Sequence, residues 1–286
     1  MTAQLIVAVA SGKGGTGKTT VATNLVRAAA AMGQAVSYVD CDVEEPNGHL
    51  FLKPRLDRRQ LVYVPVPEVD PAKCTACGRC GEICRFSAII VIAGQVMTFA
   101  NMCHGCGGCM LVCPEQAIVE QGRVIGVVEE GRSGGTGFVH GRLNVGEAMS
   151  PPLIKAVRSA AGRGVLTIVD APPGTSCPVI TAVRDADFVL LVTEPTPFGL
   201  HDLGLALDML KELARPHAVV VNRATPGNNL ARDFCRERGV GILAEIPEDR
   251  RVAEAYSRGE LAFAVVPGFG DRVSGLLTSV LKEAGR

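Results

Sequence analysis

The stretch that decides the fold is Ser11–Thr20, SGKGGTGKTT. It follows an apolar run, Leu5–Ala10, that predicts a buried strand, and it precedes Val21–Met32, which predicts a helix. Strand, glycine loop and helix in that order are the setting in which a phosphate-binding loop has meaning. Gly12 to Thr19 fits G-x-x-x-x-G-K-[ST]. Gly12, Gly14, Gly15 and Gly17, with Thr16 between them and Thr20 behind, let the backbone wrap closely and aim its N–H groups at phosphate oxygens. The helix starting near Lys18 adds the positive end of its dipole. Lys18 is placed to reach β- and γ-phosphates, and Thr19 to put its hydroxyl on Mg²⁺. The same letters fit the dinucleotide fingerprint through Gly12, Gly14 and Gly17, with Asp40 downstream. A dinucleotide loop has no use for Lys-Thr directly after its last glycine, whereas a triphosphate–Mg²⁺ site does.

Composition narrows the classes further. The chain has 286 residues, enough for one large α/β domain and a small one. Its formal net charge is zero, which removes any bulk electrostatic case for nucleic acid or an anionic membrane. No apolar run approaches the ~20 residues that span a bilayer, and the N-terminus has no charged n-region or cleavage signature. Of eleven cysteines, eight fall in two tight groups, while Cys41, Cys177 and Cys235 are scattered. That is metal spacing rather than disulfide spacing, and it implies a reducing, cytoplasmic location.

The two groups are Cys74-x-x-Cys77-x-x-Cys80-x-x-x-Cys84 and Cys103-x-x-Cys106-x-x-Cys109-x-x-x-Cys113-Pro114. Paired runs of this kind signal two [4Fe–4S] clusters of bacterial ferredoxin type, in which the fourth cysteine of each run ligates the other cluster. Cluster I then takes Cys74, Cys77, Cys80 and Cys113, and cluster II takes Cys103, Cys106, Cys109 and Cys84. Zinc is the competing reading, but zinc ligands usually come as two pairs, often with His. His104, inside the second run, is read as a loop residue. Cys84 is followed by Arg85, where many ferredoxins have Pro. Each run precedes apolar residues, Ser87–Ile92 with Gln95–Phe99 and Ala117–Glu120 with Arg123–Val128, which predict two hairpins turning at Gly94 and Gly122. Such a module is too small to bury much core, so its clusters should stabilise it. The glycine-rich run Glu129–Pro152 reads as a mobile connection, or as an anion nest at Ser133–Gly137.

The form K-G-G-T-G-K-T, with Lys13 near the loop start, resembles the deviant P-loop family of MinD, ParA, Mrp and the nitrogenase iron protein. The resemblance implies ATP and ADP as ligands and a dimer, with itself or a related chain, in which Lys13 reaches the partner's nucleotide. It also gives roles to strand ends. Ala35–Asp40 ends in Asp40-Cys41-Asp42, where Asp42 would orient the attacking water and Asp40 would support it. Val165–Asp170 followed by Ala171-Pro172-Pro173-Gly174 looks like switch II of the Mrp branch. Asp170 would then hold the Mg²⁺ shell, and the Gly174 N–H would meet the γ-phosphate. Asn222 and Arg223, after the strand Ala218–Asn222, resemble the base-recognition point, with Pro247 of Ile246-Pro247-Glu248-Asp249 packing nearby. Cys177, seven residues after Asp170, lies at the offset of a cluster-ligating cysteine of the nitrogenase iron protein, but a small buried thiol is the favoured reading. Val273, Leu276, Leu277, Val280 and Leu281 fall at helical spacing and are expected to pack on the sheet rather than seek a membrane.

The expected fold is α/β. It is a doubly wound, mostly parallel, MinD-like P-loop domain (residues 1–60 and 129–286) with an inserted α+β, bacterial-ferredoxin-like domain (61–128). The expected function is an Mg²⁺-dependent ATPase that couples nucleotide state to electron transfer through two clusters, working with a redox partner. Alternatives are an Mrp-type iron–sulfur carrier serving a recipient protein, or a redox-sensing positioning ATPase.

Overall fold

The structure is a computed structural model, and it describes residues 5–162 and 166–285. Its strands are β1 (Leu5–Ala10), β2 (Val36–Asp40), β3 (Arg55–Val69), β4 (Ile89–Ile92), β5 (Gln95–Thr98), β6 (Ile118–Ser133), β7 (Thr136–Leu143), β8 (Leu166–Asp170), β9 (Phe188–Thr193), β10 (His217–Ala224) and β11 (Ile242–Pro247). Val165, placed in a strand by the sequence, lies outside the described residues. The chain forms two compact units: residues 1–59, 128–142 and 154–286, and residues 60–127 with 143–153.

In the first unit the strands lie in the order β11-β10-β9-β1-β8-β2-β7-β6-β3, with β3 and β6 contributing the parts that belong to it. From β11 to β7 every pairing is parallel. The inner strands are largely apolar because helices cover them. β1, β2, β8 and β9 are buried almost throughout, the signature of a parallel sheet. On one face Val7, Val9, Tyr38, Ile168 and Leu190 share a core with Leu25 of helix Lys18–Ala31 and with Val273, Leu276, Leu277 and Val280 of helix Phe269–Glu283. The C-terminal helix therefore does pack as core. Among the described residues no helix is long and apolar enough to cross a membrane. The β2–β8 register sets Asp40 beside Asp170 at the strand ends, which is where open α/β sheets bind ligands.

The glycine-rich run after Val128 is not a loose connection. It completes β6, turns at Gly134-Gly135 and forms β7, whose Thr136, Phe138, Val139 and His140 are buried beside β2. Its glycines serve close approach. A Cβ on Gly131 would stand 2.0 Å from the Arg55 carbonyl oxygen, while Gly134 has φ +57 at the turn.

The second unit carries the eight clustered cysteines on a repeated backbone. Helices Arg79–Ile83 and Gly108–Leu111 occupy equivalent places after Cys77 and Cys106. Left-handed residues recur at equivalent positions: Ala76 and Gly105, Gly78 and Gly107, Ser87 and Gln116. β4 and β5 form the first hairpin, antiparallel, around Gly94. The second hairpin does not form. β6 runs straight through Gly122, which lies against the Tyr63 ring of β3 instead of turning. Residues 143–153 also belong to this unit, through Asn144 bonded to Ile125 and Val124 and an Arg123–Glu147 ion pair.

Candidate functional site

The loop after β1 is held by its glycines and by later strands. Gly17 has φ +91, and a Cβ there would meet Asn222 Nδ2 at 2.2 Å. That amide donates to the Thr16 carbonyl at 2.8 Å. A Cβ on Gly12 would overlap the Asp202 carbonyl oxygen. Gly17 therefore answers both a backbone and a packing demand that other residues cannot meet.

Lys18 begins the helix and is buried among strand-end acids. Its Nζ lies 3.2 Å from Asp170 Oδ1 and 3.7 Å from Asp42 Oδ2. Asp40, fully buried, accepts from the Asp42 N–H at 3.2 Å and from the Gly48 N–H at 2.9 Å. It thereby ties the turn that carries Asp42 to the start of helix Gly48–Leu52. Burial pushes the Asp40 carboxyl up, and neighbouring Asp170 adds to it. Burial likewise raises Asp42, to about 6, against the pull of Lys18. Burial alone would lower Lys18, but Asp170, Asp42 and Asp40 outweigh it and hold the ammonium charged.

These groups open on a cavity of about 850 Å³, within the range of small-molecule sites. Gly14, Gly15, Gly17, Lys18, Thr19, Thr20 and Asp42 line one part, and Asn222, Arg223 and Pro247 line another. The sequence-derived residues from both regions of the chain are thus brought together. Asp170 reaches the cavity through Lys18. Four of the assigned residues stand apart, among them Gly12, which packs against the Asp202 backbone. Lys13 pairs with Glu194 at 3.6 Å, and Glu194 also holds Arg223 at 2.6 Å. The Gly174 N–H donates to the Ser11 carbonyl at 3.0 Å, so meeting a phosphate requires that bond to break. Thr16 is buried, and its hydroxyl has no hydrogen-bond partner among the described residues.

Sequence reading passed over Tyr38, whose phenol donates to Asp170 Oδ2 at 2.8 Å, and Tyr256, which lines the cavity and meets the Phe51 ring in a tilted contact, centroids 4.8 Å apart. Neither belongs to a motif. Cys41 and Cys235 are buried, with thiols pushed up by burial, Cys235 to about 11. Cys177 is exposed, which overturns the expectation of a buried thiol. It is the first residue of helix Cys177–Val183, whose buried face is Val179, Ala182 and Val183.

Magnesium fits the first site. Thr19 and Asp42 share the cavity, Asp170 lies behind Lys18, and such sites need only one or two carboxylates besides substrate phosphates. In the second unit a largely apolar cavity of about 220 Å³ is bounded by Cys84, Cys103, Cys106 and Cys109, with Ile83, Phe86 and Ile89. The stacked pair Phe86–His104 also lines it. These four thiols are the quartet assigned to cluster II. The donor pattern repeats in the other half. Cys74 and Cys103 accept from Ala76 and Gly105 at 3.4 Å, and Cys84 and Cys113 accept from Ala88 and Ala117 at 3.3 Å. Burial raises Cys80 and Cys109, and their sister thiols, Cys74 with Cys77 and Cys103 with Cys106, raise them further. At Cys84, burial is outweighed by the amides of Phe86, Ala88, Ile89 and Ser87, which lower it. N–H groups aimed at sulfur stabilise thiolates, and hydrogen bonds of this kind help set the potential of a cluster that such thiolates ligate. Among the described residues, no three His, Cys, Asp or Glu side chains converge on one ion's position.

A parallel α/β sheet with a glycine loop at its central strand, and a buried lysine on two strand-end acids, defines a P-loop nucleotide-binding protein. Residues 7–262 match the CobQ/CobB/MinD/ParA nucleotide binding domain family, to which the chain belongs, and it is a P-loop ATPase. An uncharacterized protein of Methanocaldococcus jannaschii is 29% identical over 91% of this chain and 92% of its own length. The iron-sulfur cluster carrier protein of Pyrococcus horikoshii is 28% identical over 88% of this chain and 77% of its own. Among solved structures, the septum site-determining protein MinD from Pyrococcus horikoshii, complexed with Mg-ADP, superposes with a TM-score of 0.61. It is 23% identical, and the match covers 99% of this chain and 98% of that one.

Proposed function

We propose that this ATPase handles iron–sulfur clusters, with two [4Fe–4S] groups resident in its second unit. The observation that carries the reading is the cavity bounded by Cys84, Cys103, Cys106 and Cys109, together with the N–H···S pattern shared by both cysteine runs. The name of the Pyrococcus relative favours cluster carriage to a recipient protein as the cellular task. A second reading, electron transfer gated by ATP, is favoured by the ligand count. All eight clustered thiols are assigned to two sites, which leaves none of them for cargo. When bound, the clusters supply one-electron redox chemistry, and Mg²⁺ neutralises charge between the phosphates.

In the ATPase unit, Lys18 exchanges its carboxylate partners for phosphate oxygens, and the loop N–H groups from Gly14 to Thr19 hold the polyphosphate. Asp42, ionised at neutral pH, accepts a hydrogen bond from the attacking water and sets its line of approach. Lys13, on the loop but facing Glu194, is free to change partners and act on the nucleotide of a second subunit, so a dimer is the proposed working form. Gly174 trades the Ser11 carbonyl for the γ-phosphate, which makes switch II responsive to the difference between ATP and ADP. Iron analysis of anaerobic protein is expected to give roughly eight irons per chain. Cluster transfer to an apo-acceptor, dependent on ATP, supports carriage. Electron delivery at constant iron content supports the redox reading. Iron-free material with intact ATPase activity would overturn both.

A further inference from the structure

Tyr38 belongs to no motif, and the hydrolysis described above does not use it. It is fully buried in β2, between the carboxylates that end β2 and β8 in register. Its hydroxyl is 2.8 Å from Asp170 Oδ2 and 3.4 Å from Asp40 Oδ2. A phenol has one proton, and the shorter contact gives it to Asp170. Asp40 has other donors, the N–H groups of Asp42 and Gly48. The two oxygens of Asp170 are thereby divided: Oδ2 faces the phenol, and Oδ1 faces Lys18. The space for the phenol is built. A Cβ on Gly48 would lie 2.2 Å from Tyr38 Cε1 and 2.3 Å from its hydroxyl oxygen. The ring itself stacks on Phe138 at 5.6 Å.

We propose that Tyr38 is a positioning residue for ATP hydrolysis. Its hydroxyl fixes Asp170 Oδ2 so that Oδ1 is presented to the magnesium–nucleotide site. When Lys18 leaves for the phosphates, Oδ1 loses its partner, and a carboxylate free to rotate would present either oxygen. The phenol prevents that rotation. Gly48, at the start of helix Gly48–Leu52, packs directly on the phenol, so a shift of that helix acts on Asp170 through Tyr38. The proposal rests on reading Asp170 as the magnesium-shell carboxylate.

The test uses the full chain, with a fluorescent ADP analogue as probe and Mg²⁺ titrated. In Tyr38→Phe, affinity in EDTA stays within about twofold of the parent, while the Mg²⁺ concentration for half-maximal binding rises about tenfold, the worth of one hydrogen bond to a charged group. In the same variant kcat falls about tenfold with little change in KM for Mg·ATP. Gly48→Ala, which keeps the hydroxyl but displaces it, reproduces the Mg²⁺ shift. Phe138→Leu removes ring packing alone; it lowers the melting temperature and leaves the Mg²⁺ dependence intact. The proposal is overturned if Tyr38→Phe matches the parent, if Phe138→Leu matches Tyr38→Phe, or if neither Tyr38→Phe nor Gly48→Ala folds. Asp170→Asn separates the premise from the inference. If its Mg²⁺ dependence equals the parent's, the role of Asp170 fails first. If Asp170→Asn is defective and Tyr38→Phe is not, the phenol's role fails alone.

Discussion

Asp42 is an ionisable group held at a cost. Burial raises its carboxyl to about 6, above the 3.8 of an ordinary aspartate. The folded state therefore binds a proton more readily than the unfolded chain. Stability contributed by that proton is full below pH 4 and is lost as pH rises to 6, roughly 3 kcal/mol for a shift of this size. Asp40 acts with the same sign, because its carboxyl is also pushed up by burial and by Asp170. In Asp42→Asn the decline between pH 4 and 6 becomes shallower, with Asp40 still contributing to it. Urea unfolding across that range measures it, and a slope equal to the parent's would reject the assignment. Hydrolysis in the same variant falls about 100-fold or more if the carboxylate orients the water. Lys18 and Thr19 were legible in the sequence because phosphate chemistry fixes their spacing along one loop, and Asp42 through the resemblance of Asp40-Cys41-Asp42 to the deviant P-loop family. Tyr38 was not. An apolar strand with a tyrosine reads as core, and only the β2–β8 register shows that its hydroxyl meets two acids. Exposure at Cys177 was equally hidden, since a residue opening a helix can face either way.

At the scale of elements, the parallel strands were readable because complete burial leaves uninterrupted apolar runs, as in β1 and β9. The hairpin of β6 and β7 was concealed by its own glycines. A glycine-rich stretch reads as a loop, yet Gly131 and Gly137 sit where strands come too close for a side chain. Gly122 misled in the opposite sense. It was read as a turn by analogy with Gly94, but β6 continues past it in extended form. Substitution distinguishes the two uses of glycine. Gly131→Ala forces a Cβ to within 2.0 Å of the Arg55 carbonyl oxygen and should cost about 1–3 kcal/mol through strand displacement, read as a lower urea midpoint with nucleotide affinity retained. Gly135→Ala has nothing within 4 Å and should stay within about 0.5 kcal/mol. Equal midpoints for the two variants would refute the close-approach account.

For the whole molecule, the two units differ in what holds them together. The first has a continuous core from Leu5 through Val280, drawn from a parallel sheet and the helices packed on it. The second has a small buried cluster, Cys80, Ile89 and Ile118, and the groups packed against it include Cys84, Cys109 and Cys113. That cluster, with Val64, Val66, Ala88, Ala117, Ile125 and Val127 buried elsewhere in residues 60–127, is a small core to offset the conformational entropy of a segment this long. Four strained non-glycine positions, Ala76, Ser87, Ala93 and Gln116, add to the demand. If the assigned thiolates hold iron, metal binding is folding free energy for this unit alone. Removing iron anaerobically with a chelator should then make residues 60–127 sensitive to limited proteolysis, while residues 1–59, 128–142 and 154–286 stay protected. Mg²⁺-dependent ADP binding should persist, because every residue lining that cavity lies in the first unit. Adding Mg²⁺ and ADP should protect the first unit further, by roughly 3 kcal/mol at a hundredfold excess over Kd, and leave cleavage of the second unchanged. Protection of residues 60–127 in iron-free protein would mean that the apolar contacts around Ile89 and Ile118 suffice, and that the cysteines are not what keeps this unit folded.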